Sequence, residues 1–178
     1  MLKTKSLIKI SLFTAVICIL SLVRIPVLPV PVSLTFFAVN TIILISDFKI
    51  SFISLLLYLV LGLIGLPVFS QGGGIGYVFN MSFGYLLGFL IAPLISGFFT
   101  KKINLNEFKK NMMLSGINIL TVYFFGVLYA YFLSYVYLGI TMDIKYLITY
   151  YVLIFIPSDI FFAYLSVKIS GRLKRIVK

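Results

Sequence analysis

Apolar residues fill six long stretches of the chain, and short connections rich in charged residues, glycine or proline separate them. A helix that crosses a membrane needs about 20 mostly apolar residues. The stretches therefore predict transmembrane helices at residues 6–23, 32–46, 50–67, 78–99, 111–138 and 146–168. Their polarity does not alternate as it does in membrane-barrel strands, and helices satisfy their own backbone groups in lipid. We expect an all-α integral membrane bundle of six helices, forming a single membrane domain over residues 1–178.

Composition supports a membrane protein and excludes several kinds of chemistry. Hydrophobic residues make up 62% of the chain and charged residues 11%, against about 25% charged in soluble domains. The single cysteine, Cys18, allows no internal disulfide, and the absence of histidine removes imidazole bases and imidazole metal ligands. The chain also lacks a phosphate-binding loop. We therefore expect no enzyme activity, no bound metal or cofactor, and no ATP hydrolysis by this chain alone.

The basic residues predict the orientation in the membrane. The net charge is +11, but the basic residues lie at the ends of apolar stretches, which indicates topology and not nucleic-acid binding. With six helices, only Arg24 and Lys145 fall on one side. The other side holds the remaining thirteen, namely Lys3, Lys5, Lys9, Lys49, Lys101, Lys102, Lys109, Lys110, Lys168, Arg172, Lys174, Arg175 and Lys178. Basic loops stay in the cytoplasm, so both termini are predicted to be cytoplasmic in a multi-pass protein of the cell membrane.

Two connections on the opposite side differ from plain loops. Residues 24–31 (RIPVLPVP) contain three prolines, which favour extended backbone and can mark a transport site. The alternative is a rigid outer loop. Residues 65–76 (GLPVFSQGGGIG) end in a glycine-rich run that lets the backbone bend and approach a ligand. We interpret this run as a mobile lid over an outward pocket, and the alternative is a flexible connector.

Few polar side chains lie inside the predicted helices, and Asp159 is the clearest case. A carboxylate within a membrane helix usually marks a substrate, ion or proton site. The alternative is a packing role, with Asp159 paired to Arg24 or hydrogen-bonded to a Tyr or Asn. Asn80 is the second candidate, whereas Asn40 and Asn118 are more typical of helix packing.

The sequence resembles the BioY family, the biotin-specific substrate-binding (S) components of energy-coupling factor (ECF) transporters. The stretches that carry the resemblance are residues 31–35 (PVSLT), 58–69 (YLVLGLIGLPVF), the glycines at 72–74 and 76, 80–85 (NMSFGY) and 157–159 (PSD). The resemblance implies an outward pocket, a transmembrane coupling protein and two cytoplasmic ATPases as partners. It also implies that Ser11 and Ala15, small residues four apart on the first helix, contact the coupling protein.

The resemblance implies a binding site for biotin. Asp159 and Asn80 would bind the ureido ring, and Phe69 and Tyr85 would cover the bicyclic rings. The lid would add Gln71, Gly73 and Gly74.

Two positions depart from the family pattern. Phe162 stands where the family usually carries a lysine, and Thr35 where it has a glutamine. Arg24 is the nearest replacement for the missing cation. Dethiobiotin or lipoate as the cargo therefore stays open, as does a solitary ion-coupled transporter in which Asp159 titrates. A membrane enzyme is disfavoured by the absence of histidine and the scarcity of acids.

Overall fold

The structure, a computed structural model, describes residues 4–25, 32–137, 139–140 and 143–177. Its helices are α1 (Thr4–Leu22), α2 (Thr35–Ile45), α3 (Phe48–Leu63), α4 (Phe83–Thr100), α5 (Glu107–Val136), α6 (Ile144–Ile148) and α7 (Ile156–Val177). A 3-10 helix at Ile75–Phe79 precedes α4, and a π-helical turn at Thr149–Leu153 joins α6 to α7. Two short antiparallel strands, β1 (Arg24–Ile25) and β2 (Val32–Ser33), lie between α1 and α2.

The prediction of an all-helical bundle is confirmed, and the six predicted spans correspond to α1 to α5 and the α6–α7 segment. Four helical segments are long and apolar enough to cross a membrane, namely Thr4–Leu22, Phe83–Thr100, Glu107–Val136 and Lys145–Arg175. The prediction of a regular helix from residue 78 is wrong, because the 3-10 helix stands there and α4 begins at Phe83. Most of the proline-rich segment, residues 26–31, lies outside the described residues.

Helix α2 is short and lies at the centre of the bundle. Its 11 residues extend about 17 Å, less than the thickness of a bilayer core. Nine of the 11 are buried, so α2 is shielded from lipid by its neighbours. Its packing against α1, α4, α5 and α7 gives the bundle its core.

Two glycines bring α4 unusually close to α5. A Cβ on Gly88 would lie 2.7 Å from Val122 Cα, and one on Gly84 would lie 2.5 Å from Tyr129 Cβ. Only residues without a side chain allow this approach, as is common where membrane helices pack. The contact fixes Tyr85 on α4 opposite Tyr123 on α5, with ring centroids 6.2 Å apart.

A polar layer, here called the septum, joins α2, α4 and α5 inside the bundle. It consists of Asn40 on α2, Ser96 on α4, and Ser115 and Asn118 on α5, all at most 2% exposed. The Asn118 amide donates to Asn40 Oδ1 at 2.8 Å, and the Asn40 amide donates to Ser115 Oγ at 3.0 Å. Ser96 Oγ donates to Asn118 Oδ1 at 2.5 Å. These bonds agree with the packing role expected of Asn40 and Asn118.

Candidate functional site

We call the end of the bundle where α1 finishes the distal end, and the end where α1 starts and α7 finishes the proximal end. A cavity of about 730 Å³, here called the distal cavity, opens at the distal end. The start of α4, the middle of α5 and the segment from Tyr146 to Asp159 form its walls. The polar or charged residues that line it are Arg24, Ser33, Thr35, Tyr58, Ser70, Gln71, Tyr77, Asn80, Ser82, Tyr85, Tyr123, Tyr146, Tyr150, Tyr151 and Asp159.

Asp159 reaches the cavity from the first turn of α7. The π-helical turn and Pro157 break the regular helix just before it, since proline has no N–H to donate and is tolerated in a first turn. A carboxylate at a helix N-terminus is also favoured by the helix dipole. Tyr123 OH donates to Asp159 Oδ2 at 2.6 Å. The alternative interpretation expected Asp159 to be hydrogen-bonded to a tyrosine, and this bond is present. The Asp159 carboxylate nevertheless lines the cavity.

Arg24 lies in β1 at the rim and is held there by pairing with Ser33 in β2. Among the described lining residues, Arg24 is the cation and Asp159 the anion. The cavity therefore has opposite charges on two of its walls. A bound molecule with hydrogen-bond donors at one end and a negative charge at the other would match both.

Gln71 and Asn80 form a second polar pair at the rim. The Asn80 amide donates to Gln71 Oε1 at 2.7 Å, and Ser82 N–H donates to Asn80 Oδ1 at 2.9 Å. Both side chains line the cavity. Gln71 Oε1 and Asn80 Oδ1 are therefore already used as acceptors within the protein.

Seven of the chain's 12 tyrosines line the cavity, and sequence reasoning identified only Tyr85 among them. Tyr85 OH donates to the Tyr151 carbonyl at 2.5 Å, which ties α4 to the π-helical turn. Tyr151 OH lies 2.8 Å from Met81 Sδ. The cluster of tyrosines at 146, 150 and 151 in the sixth apolar stretch was a signal in the sequence that could have indicated an aromatic wall.

Phe69 does not line the cavity, although the sequence suggested it would cover a ligand. Its side chain is 0% exposed and packs between Tyr58 and Tyr77, with ring centroids 5.5 and 4.7 Å away. A Cβ on Gly62 would lie 2.0 Å from the Phe69 ring, so the ring occupies space that only a glycine leaves open. Phe69 therefore anchors the loop beneath the cavity rim.

The glycine-rich run also lies behind the lining and not in it. Gly74 N–H donates to the Gly62 carbonyl at 2.7 Å, and Gly74 has a φ of 100°. A Cβ on Gly73 would lie 2.1 Å from the Leu66 carbonyl oxygen. The run is thus packed onto the end of α3, where it holds Gln71 at the rim.

Phe162 and the two small residues of α1 lie away from the cavity. Phe162 is buried in the core, and its ring centroid is 6.0 Å from that of Phe37. Ser11 and Ala15 are exposed on the outer face of α1. Large apolar side chains surround them there, namely Leu7, Ile8, Leu12 and Ile19. This face has no neighbour within the described part of the bundle.

Comparisons with known proteins agree with one another. The model of the BioY family matches residues 1–178. A biotin transporter BioY of Lactococcus lactis subsp. cremoris (strain MG1363) is 33% identical over 179 residues, which cover 97% of this chain and 92% of that protein. The crystal structure at 2.1 Å of an S-component for biotin from an ECF-type ABC transporter has a TM-score of 0.80 and 31% identity, covering 98% of this chain and 95% of that one.

Two further relatives match over part of their length. A probable biotin transporter BioY of Lysinibacillus sphaericus is 35% identical over 128 residues, 72% of this chain and 65% of that protein. The biotin transporter BioY2 of the same Lactococcus lactis strain is 42% identical over 90 residues, half of each chain. The chain thus spans between half and about two thirds of the length of these two relatives.

We predict that Gly73→Ala lowers the melting temperature, whereas Gly76→Ala does not. The added methyl group at position 73 would overlap the Leu66 carbonyl, while nothing lies within 4 Å of the corresponding point at Gly76. Overlap with backbone forces the loop away from α3, at a cost of about 1–3 kcal/mol. Thermal unfolding of both purified variants in detergent measures the difference. Equal melting temperatures would contradict the close packing of the run.

Proposed function

The chain belongs to the BioY family, and on that premise we propose that it captures biotin for vitamin uptake as the S component of an ECF-type ABC transporter. The observation that carries the proposal is the distal cavity, with Asp159 and Arg24 on its walls and tyrosines between them. In this proposal the chain is a transport subunit and not an enzyme. Residues 1–178 act as one membrane domain.

The chemistry of biotin matches the lining of the cavity. The ureido ring offers two N–H donors and one carbonyl acceptor. Asp159 accepts from the N–H groups, and the amide of Asn80 donates to the carbonyl. Tyr85 covers the bicyclic rings beside them. A buried polar site of this kind is selective, because an analogue that lacks one partner leaves a protein group unpaired.

Lipoate fits this arrangement less well, since it has a carboxylate but no ureido N–H groups to offer Asp159. Dethiobiotin keeps both the ureido ring and the carboxylate, so it is the alternative cargo that the cavity favours most. Competition of both compounds with labelled biotin ranks them. We expect dethiobiotin to compete and lipoate to fail.

We predict that Asp159→Ala weakens biotin binding by about a hundredfold. The change removes an ionised acceptor for two donors, and hydrogen bonds to charged groups contribute about 1.5–3 kcal/mol each. Binding of radiolabelled biotin to the purified chain measures the loss. Asp143→Ala is the control, because Asp143 is an exposed acid at the start of α6 that does not line the cavity. Equal binding by the wild type and Asp159→Ala would refute the role of Asp159.

We also predict that Arg24→Ala weakens binding of biotin but not of biotinamide, which has no carboxylate charge. The expected loss for biotin is about tenfold, as for removal of one charged hydrogen-bond partner. Isothermal titration with both ligands measures it. Lys145→Ala, which removes a distal cation outside the cavity lining, should leave both affinities unchanged. A parallel loss for both ligands would show that Arg24 acts on the fold and not on the carboxylate.

The proposal extends to orientation and partners. In the described residues the proximal end carries most of the lysines and arginines, so the positive-inside rule puts it in the cytoplasm and the distal cavity outside the cell membrane. Because the chain has no phosphate-binding loop, ATP hydrolysis falls to two cytoplasmic ATPases, linked through a transmembrane coupling protein. The exposed face of α1 around Ser11 and Ala15 is the proposed contact with that protein.

We predict that Ala15→Leu abolishes ATP-driven biotin uptake by the full transporter while biotin binding persists. A larger side chain would prevent a partner helix from approaching the small residues closely. Uptake into proteoliposomes that contain all subunits measures the effect. Gly116→Leu is the matched control, since it adds similar bulk at another exposed position, on α5. Normal uptake by Ala15→Leu would remove α1 as the contact, and uptake without any ATPase would contradict the ECF assignment.

A further inference from the structure

A second cavity, of about 590 Å³, lies at the proximal end of the bundle, and the proposed function leaves it unused. We call it the proximal cavity. The start of α1, the turn between α2 and α3, the end of α4, the start of α5 and the end of α7 surround it. Along α2 and α5, the septum residues Asn40, Ser115 and Asn118 lie between the residues that line the two spaces, and Ser96 of the septum lines the proximal cavity itself.

Lysines from four different elements converge on the proximal cavity, namely Lys9, Lys101, Lys110 and Lys174. Asp47 and Glu107 also line it. Lys174 and Glu107 form an ion pair, with 3.0 Å between Lys174 Nζ and Glu107 Oε1. Lys9, Lys101 and Lys110 form no ion pair with a described residue. The cavity therefore keeps an excess of positive charge that an anion would reduce.

Two helix N-termini border the cavity. Helix α3 begins at Phe48, which lines the cavity, and its N-cap residue Asp47 makes no side-chain capping bond. Helix α5 begins at Glu107, also in the lining, but the Asn106 side chain already accepts the Lys109 N–H. The first N–H groups of α3 therefore lack a side-chain cap, and such groups attract anions, phosphate in particular.

One wall of the proximal cavity is largely apolar. Ile43, Leu44, Pro93 and Leu114 form it, with the buried polar residues Ser96 and Asn111 beside them. Lys101 is exposed, and Lys9 and Lys110 are half-buried. An inorganic anion would gain nothing from this apolar wall. A molecule with a phosphate group attached to a glycerol and acyl chains would use both parts, and basic pockets between helix ends at the membrane interface suit such headgroups.

We propose that the proximal cavity binds the phosphate-bearing headgroup of an anionic phospholipid. Lys9, Lys101 and Lys110 hold the phosphate, and the apolar wall accommodates the adjoining glycerol and the start of an acyl chain. The site is independent of biotin and does not rest on the proposed function.

Neighbouring lysines provide a matched control for the test. Lys101 and Lys110 line the cavity, whereas the adjacent Lys102 and Lys109 do not. Lys102 Nζ instead lies 4.1 Å from the centroid of the Phe98 ring. The double variants K101Q/K110Q and K102Q/K109Q thus remove the same charge from the same two segments. Only the first pair changes the cavity.

The experiment titrates the purified full chain in neutral detergent with short-chain phosphatidylglycerol, phosphatidylcholine of equal chain length, or inorganic phosphate. Melting temperature and native mass spectrometry report binding. We expect phosphatidylglycerol to stabilise the wild type and K102Q/K109Q, since a ligand specific for the folded state raises its stability. In K101Q/K110Q its affinity should fall about 30-fold, at roughly fivefold per lysine.

Four results would overturn the proposal. An equal loss of phosphatidylglycerol affinity in both double variants would mean that binding depends on diffuse surface charge. Equal stabilisation by phosphatidylcholine would mean that the lipid makes only apolar contacts. Equal stabilisation by inorganic phosphate would mean a free anion as the occupant. If K101Q/K110Q does not elute as a folded monodisperse species, K101Q and K110Q are measured singly, and an unchanged affinity in both refutes the site.

Discussion

A polar group inside a membrane bundle has no water to bond with, so every one must find a partner within the protein. The septum meets this constraint with a chain of hydrogen bonds from Ser96 through Asn118 and Asn40 to Ser115. These bonds align α2, α4 and α5 at a single level. Because α2 is short and surrounded by its neighbours, that alignment also sets where its distal end meets the cavity. The same constraint explains why Asp159 is already paired with Tyr123.

Much of the architecture could be predicted from the sequence, because it depends on length, apolar content and charge position. The number of spans and the clustering of basic residues at one end follow from such local features, and so does the choice of Asp159 as a candidate, which the structure places in the cavity lining. The aromatic wall could not be predicted, since lipid and protein core are equally apolar and a helix sequence does not indicate which tyrosines turn inward. The burial of Phe69 could not be predicted for a similar reason, as it depends on the space at Gly62 on α3. The interruption at Thr149–Leu153 also left no clear signal in the sequence.

The two ends of the bundle carry different chemistry, although the helices between them are nearly continuous. The distal end has a cavity with tyrosine hydroxyls, a pair of amides and, among the described lining residues, one charge of each sign. The proximal end has a cavity lined by lysines and by apolar residues. The first arrangement suits a small molecule with a polar head and a negative tail. The second suits the anionic amphiphile that we propose for it, so the two proposals rest on separate parts of the chain.

The septum has a consequence for substitutions at its positions. Its four side chains are at most 2% exposed and bonded to one another. A change at any one of them leaves a buried amide or hydroxyl without its partner, at a cost of about 1–3 kcal/mol. The stability of three helices therefore depends on four side chains that do not line the distal cavity.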